Sequence, residues 1–587
     1  MHARGVHSTS GPPPGRWAVA SARQLTAMLK EPEAPQQLLQ LLQQHKLEQQ
    51  GGLLNAIHVA SCYHRLGIMC RADAAVVGTA AAQQLLQHLD QLVLSVRQQL
   101  GARRLANIIW SCAYTQHAAP AAQLLADFIQ PETLSAANSQ EVANVLWSLT
   151  TLEQQMPPQQ LHQLVDAFVS QAAKAVPQEI SNTVWALGKL GHQLPPQQLT
   201  VLLTAFTAEG MLGRAKAQDI ANLLLGTAYM GQQLPTAQLQ PLLAELSAKV
   251  AHASPQAIAN TLWAVSEMGE AVQAGQLEQL LAAFEQQLHR VTPQETSTTL
   301  LACARFRYLP VQLLTALEQQ QHMQRFLAGA NLQELASTAW AYGTLGRNRE
   351  DPLGGLLQQA AKLLQQEGSK CVSQELCNLC WAVAVLDLRQ HVPAVLQLAP
   401  ASINERRSVV PAHLQQLYQV HLWLLDTNLA AAEGAKGPGL LQVLSQQQLD
   451  ECRQAWQDQV ATQAQQAAAK PSPLERRVFK TLQQLPGWQV PPQQEVITAD
   501  SNFSIDIAAV TAAGVRLAVE VAGPSHFVSP GNRVNGPTKY RNRALAVRGY
   551  TVVTIPGWQW RKLKGAEQQQ QYLHDKLKGG SGCCTHC

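Results

Sequence analysis

Charge is scarce in this chain: only 14% of its 587 residues are Asp, Glu, Lys or Arg. Hydrophobic residues make up 46%, enough to bury a large core, and Gln and Ala are abundant. That balance suits long helices whose polar faces carry amides in place of ions. No apolar run approaches the ~18–20 residues a bilayer crossing needs, which argues against a membrane span. The 11 cysteines are mostly scattered singly through helical segments, as at Cys62, Cys112, Cys303 and Cys377. Such spacing excludes a disulfide framework and suits small buried residues in a reducing compartment. The glycine-led tail, residues 579–587, holds Cys583, Cys584, His586 and Cys587. Zinc needs a geometry that so short a tail rarely builds, so disorder is expected there and no metal is assigned.

A chain this long exceeds one core, so several domains or a repeat array are expected. The formal net charge is only +4, but between Glu475 and Lys578 there are 14 Lys+Arg against 7 Asp+Glu, which is +7 and leaves about −3 elsewhere. A basic C-terminal end hints at a polyanionic partner. Residues 1–50 form an N-terminal region. Arg4, Arg16, Arg23 and Lys30 precede its first acid, Glu31, as in an organelle transit peptide, although the stretch is also Pro-rich and short enough for a plain disordered terminus.

The line "QEISNTVWALGKLG" at Gln178–Gly191 returns as "QAIANTLWAVSEMG" at Gln256–Gly269 and "QELASTAWAYGTLG" at Gln333–Gly346. Aligning on the Asn places it at 55, 107, 144, 182, 222, 260, 298, 337 and 378, with Thr at 298 and Ser at 337. From 107 onward the spacings are 37, 38, 40, 38, 38, 39 and 41, while the first, 52, implies an insertion or a degenerate unit. A sustained period near 38 predicts an α-solenoid of helix–turn–helix repeats over 53–430. "VTPQE" places Thr292 at an N-cap with Glu295 third in the helix, and Glu141, Glu179, Asp219, Glu334 and Glu375 hold the same place. The second helix of each pair follows a Pro-containing link, as in "MPPQQLHQLVDAF" and "LPPQQLTVLLTAF".

With the Asn as position zero and ~100° per residue, aliphatic residues at −2, +2 and +5 make one stripe. Gln at −4, Asn144, Asn182, Asn222, Asn260 and Asn378 at zero, Trp at +3 and position +7 gather on another face. Position +4 is small, as at Ser148, Ala186 and Gly226, which predicts close approach of a neighbouring backbone. The amides and Trp either tie adjacent repeats together or line a groove that stacks and hydrogen-bonds single-stranded RNA. Position +7 changes from unit to unit, including Lys189, Tyr229 and Arg305, so it either discriminates bases or is ordinary surface.

The "PQEIxNTxWALxxLG" core resembles the octotricopeptide repeat of green-lineage organellar RNA-binding proteins over Leu53–Leu386, with Trp lost at Leu225 and Leu301. Similar helical arrays precede the C-terminal domain of FAST-kinase-domain-type mitochondrial RNA proteins. The resemblance implies an organellar protein, in chloroplast or mitochondrial matrix, that binds single-stranded messenger or ribosomal RNA. Processing, stability or translation of that RNA would follow, with protein partners in ribonucleoprotein complexes. A helical-repeat scaffold that grips proteins is a competing reading.

Residues 431–471 read as a linker, and 472–578 as a small α/β domain with a preceding helix. "FSIDIAAV", "VRLAVEVAG" and "YTVVTIPGWQW" predict strands around a helix, "TKYRNRALAVRG". "VEVAGPSHF", "TKYRNRAL" and "GYTVVTIPGWQW" resemble a RAP domain, with Glu520, Gly523, Pro524, His526, Lys539 and Trp560 as motif residues. RAP domains resemble the PD-(D/E)XK nuclease fold, which raises an endoribonuclease alternative with Asp506 and Glu520 holding Mg²⁺. Ala522 departs from the Asp usual in that family, and the nuclease Lys is missing. Asp506 and Glu520 could equally pair with the basic helix. No other cofactor is implied. The basic residues Arg533, Lys539, Arg541 and Arg543 are expected to meet phosphates without cleavage.

Overall fold

The computed structural model describes residues 21–46, 52–270, 272–367, 373–403, 410–427 and 437–579. Residues 1–20 of the N-terminal region and the Cys583–Cys587 tail fall outside the described residues. The chain divides into two compact units, Met1–Ala257 with Glu267–Val272, and Ile258–Ser266 with Gln273–Cys587. Among the described residues no helix is long and apolar enough to cross a membrane.

The first unit is an array of paired helices. Ala102–Tyr114, Ser139–Thr151, Pro177–Lys189 and Ala217–Tyr229 carry the repeated line. They pack successively against one another, each followed by a second helix such as Pro158–Val169 or Pro196–Thr207. The predicted acids start these helices: Glu141 accepts from the Asn138 N–H at 3.1 Å, Glu179 from Val176 at 3.1 Å and Asp219 from Lys216 at 2.8 Å. Each satisfies an otherwise orphaned backbone donor. The aliphatic stripe becomes the core: Ile180, Val184 and Leu187 are fully buried, each contributing about 1.5–3 kcal/mol of burial. The small +4 position has the predicted cause. A methyl added at Gly226 would lie 2.4 Å from the Val184 carbonyl oxygen of the preceding repeat. Asn55, aligned with the repeat Asn by sequence, has a different job. It is the N-cap of Ala56–Ala72 and accepts from the Ile57 N–H at 3.0 Å.

In the second unit the same helix type recurs at Pro293–Arg305, Leu332–Leu345 and Ser373–Leu386, followed by Pro411–Thr427. Glu295 and Glu334 again accept cap N–H groups, at 2.8 and 2.9 Å. The expected linker is corrected in part: Gln446–Ala469 is a 24-residue helix with a Ser445/Gln448 capping box. It packs on Pro411–Thr427 and on the C-terminal sheet, donating from Trp456 Nε1 to the Asn502 carbonyl at 2.8 Å. Its few buried residues, Leu449, Cys452, Val460 and Ala464, gave too weak an apolar pattern to be seen in sequence.

The C-terminal sheet has the order β1-β2-β3-β6, where β1 is Trp488–Ile497, β2 Ser504–Thr511, β3 Arg516–Ala522 and β6 Thr551–Pro556. β1–β2 and β2–β3 are antiparallel, while β3–β6 is parallel, crossing over through the helix Gly536–Val547. β1 was not anticipated because Pro491 and Pro492 lie within it. It is an edge strand with irregular register between Val490 and Gln493, where missing N–H donors are tolerated. Two further short strands, β4 (Phe527–Val528) and β5 (Arg533–Val534), pair with each other. The domain core gathers Val478, Ile507, Val519, Ile555, Trp560 and Leu573.

Candidate nucleic-acid interface

The repeated polar face is real and partly open. In the first unit Asn144, Asn182 and Asn222 are half-buried, as are Trp110, Trp147 and Trp185. These groups largely answer one another. Asn222 accepts from Gln218 at 2.8 Å and donates across the repeat to Asn182 at 3.5 Å. Trp110 and Tyr114 lie 4.6 Å apart between centroids, and Tyr114 reaches Trp147 of the next repeat at 5.0 Å. Lys189 sits 4.9 Å over the Tyr229 ring, so two of the variable +7 residues meet across repeats as a cation–π pair.

In the second unit the same positions surround open space. A cavity of about 730 Å³ is lined by Trp263, Trp340, Trp381, Gln333, Gln374 and Asn378. Arg305 at +7 and Ser337 at position zero also line it, and Trp456 and Pro537 close it from the C-terminal side. Trp340 and Trp381 lie nearly parallel, 22° between planes and 6.4 Å between centroids. Trp381 is buried and donates to Gln419 Oε1 at 3.2 Å, while Gln416 donates to Asn378 Oδ1 at 2.9 Å. The amides therefore bridge repeats, and Trp263 and Trp340 stay half-buried at the opening. Asn260 is half-buried on the same helix face as Trp263.

The second cluster lies in the C-terminal domain. Arg541, on the crossover helix, donates to Glu520 Oε2 at 2.8 Å and to the Ser504 carbonyl at 2.6 Å. It also lies 3.7 Å from Asp506 Oδ1. Asp506 Oδ2 accepts the Val521 N–H at 2.8 Å. Burial pushes the Glu520 carboxyl above its usual range, and Asp506 adds to this while Arg541 opposes it. Glu475 and Glu495 complete the cluster, neither taken as a site residue from sequence. Burial, with the Asp506 and Glu475 charges, raises Glu495 to about 7, and Arg541 pulls against that rise. Glu475 is raised first by burial and then by Asp506, and it accepts from Gln494 at 3.0 Å.

These residues do not fit a Mg²⁺ ion as folded. The Arg541 guanidinium already neutralises the carboxylates a cation would need, and Ala522 brings no ligand. Among the described residues no group of three or more His, Cys, Asp or Glu side chains is arranged to hold a metal. The salt-bridge alternative for Asp506 and Glu520 is thus the one the geometry carries. Other motif residues are structural: Trp560 is buried in the core, and His526 Nδ1 lies 3.2 Å from Thr538 Oγ1. Gly523 and Pro524 lead into the turn Pro524–His526.

Two of the four expected phosphate-binding cations have internal partners instead. Arg541 is committed to Glu520. Arg543 donates to the Ala384 and Val385 carbonyls, at 3.0 and 2.8 Å, and so caps the C-terminal end of a repeat helix. Arg548 likewise bridges Asp426 at 2.9 Å and Asp500 at 2.6 Å. Arg533 remains exposed on β5 and Lys539 half-buried, with Arg561, Lys562 and Lys564 exposed after β6. Sequence separation hid these pairings: Arg543 and Ala384 are 159 residues apart. The Gly536 contact was hidden too, since its Cα approaches the repeat so closely that an added methyl would lie 1.7 Å from the Gly343 carbonyl oxygen.

The protein is therefore a helical-repeat array with a small α/β domain docked on the repeats of its second unit. Residues 519–576 match the RAP domain, inside the boundaries read from sequence. Among solved structures, the chain is similar to the pentatricopeptide repeat protein PPR10 from maize, at 11% identity and a TM-score of 0.26. That match covers 78% of this chain and 75% of that one. So loose a superposition carries no argument about ligand or fold detail.

Proposed function

We propose that the chain binds single-stranded RNA, with the repeated amide-and-Trp face holding bases and the C-terminal domain contacting phosphates. The observation that carries this reading is the cavity of about 730 Å³ where the repeated Gln, Asn and Trp positions converge beside the basic domain. Flat aromatic faces and neutral amides suit bases, while Arg533, Lys539 and the Arg561–Lys564 cations suit phosphates. The acid-poor N-terminal region and the octotricopeptide-like repeat support an organellar setting, chloroplast or mitochondrion. There the protein acts in processing, stability or translation of messenger or ribosomal RNA, within ribonucleoprotein assemblies. No cofactor is required.

Binding of single-stranded RNA should weaken linearly on a log–log salt plot, and each phosphate contact removed, as in Arg533→Gln with Lys539→Gln, should flatten the slope by roughly 0.7. Absence of salt-dependent RNA binding by the full chain overturns the reading and leaves a protein-binding scaffold.

A further inference from the structure

The wall of the cavity includes one point where the repeat pattern fails. Position +3 is Trp in most units but Leu301 in the helix Pro293–Arg305, and Leu301 is half-buried in the cavity wall. The Trp residues of the units before and after it, Trp263 and Trp340, line the same space. Position zero is also shortened here. Thr298 and Ser337 replace Asn in this unit and the next, and Ser337 faces the cavity. Two truncations of side-chain volume thus coincide at one place along the array.

Another unit that lacks Trp, with Leu225 at +3, shows that the loss alone does not make a pocket. Leu225 is 5% exposed, and the +7 residue of its helix, Tyr229, lies under Lys189. There an aromatic side chain still occupies the face. At Leu301 the +7 residue is Arg305, which gives no ring and leaves the gap open to amides at Gln333 and Gln374. An amide presents both a donor and an acceptor, which is what a base edge needs and a phosphate does not.

Building on the RNA-binding reading, we propose that the Leu301 recess is a slot for one unstacked nucleobase of a single strand. Trp263 and Trp340 supply aromatic walls, and Gln333 and Arg305 lie at its polar rim. The slot sets the register of the strand, because here neither +3 nor +7 carries a ring and a base can take that position.

Leu301→Trp restores the residue that other repeats carry and fills the recess without removing any cation. This variant should melt like wild type, bind single-stranded RNA roughly ten- to hundred-fold more weakly, and keep the same salt slope. RNA carrying one photoactivatable base at successive positions should crosslink to peptides containing Trp263 or Trp340 at a single position, and Leu301→Trp should abolish that crosslink. Wild-type affinity in a folded Leu301→Trp protein, or crosslinks that map elsewhere, overturns the slot while leaving RNA binding intact. A wild-type protein that binds no RNA overturns the RNA-binding reading itself. Should Leu301→Trp fail to fold, the crosslink map on the wild-type chain decides alone.

Discussion

Along the repeats the polar face is uncharged and largely half-buried, and its amides meet amides one repeat away, Asn222 donating to Asn182 and Gln416 to Asn378. In the C-terminal domain the polar groups are ions, and several are tied down individually: Arg541 to Glu520, Arg543 to the Ala384 and Val385 carbonyls, Arg548 to Asp426 and Asp500. A neutral amide costs little when it exchanges a protein partner for another one, so the repeat face can open to a ligand. A desolvated ion that loses its partner costs much more. Net charge therefore misleads about where a polyanion lands, because much of the basic excess near β3 and the crossover helix is spent on folding.

The sharpest way to break this contrast is Arg541→Met. Glu520, only 4% exposed, would be left without its counterion. The C-terminal domain should lose about 3–5 kcal/mol in denaturant unfolding, and adding Glu520→Gln should recover part of it. A loss below ~1 kcal/mol, typical of exposed pairs, would show the network to be surface-like. In the repeats the largest costs should be steric. Gly226→Ala pushes a methyl to 2.4 Å from the Val184 oxygen and should cost about 1–3 kcal/mol. Gly213→Ala, which meets nothing within 4 Å, is the control and should stay within about 0.5 kcal/mol.

The smallest effect is a pH dependence confined to the domain. Glu495 is raised to about 7 from an ordinary 4.5, so between those values the folded state binds more protons than the unfolded state. Its contribution to stability therefore falls as pH rises through that window. Glu495→Gln should be more stable than wild type near pH 8, with the difference closing toward pH 5. The half-buried His526, held below its usual value chiefly by its partial burial, acts in the opposite direction on acidification, but it is common to both proteins and cancels. A difference that does not change with pH would mean that Glu495 titrates normally.

Much of the repeat array was legible because the chain writes one pattern many times. The acids that start the helices, the buried aliphatic stripe and the tight approach at Gly226 each follow from a residue type at a fixed offset. Asn55 was misread because an Asn at a cap and an Asn on a face look alike without the helix boundary. The strand β1 was obscured by Pro491 and Pro492, and the helix Gln446–Ala469 by its Gln-rich, weakly apolar composition. At the candidate site, Gln, Asn and Trp were identified by repetition. The cavity was not, since it depends on what Leu301 and Ser337 fail to fill. The partners of Arg541, Arg543 and Arg548 belong to tertiary structure and leave no local signal.

On the RNA-binding proposal, the contact between Gly536 and Gly343 would let the docked domain act as a measuring device. With the two backbones this close, and with Ser529 donating to the Arg307 carbonyl at 2.7 Å, the second unit has no slack between groove and domain. A strand seated in the groove would meet the domain after a set number of nucleotides, as against a stop on a ruler. Nuclease protection of bound RNA should then show one sharp boundary on that side, and Gly536→Val, which unseats the stop, should blur it.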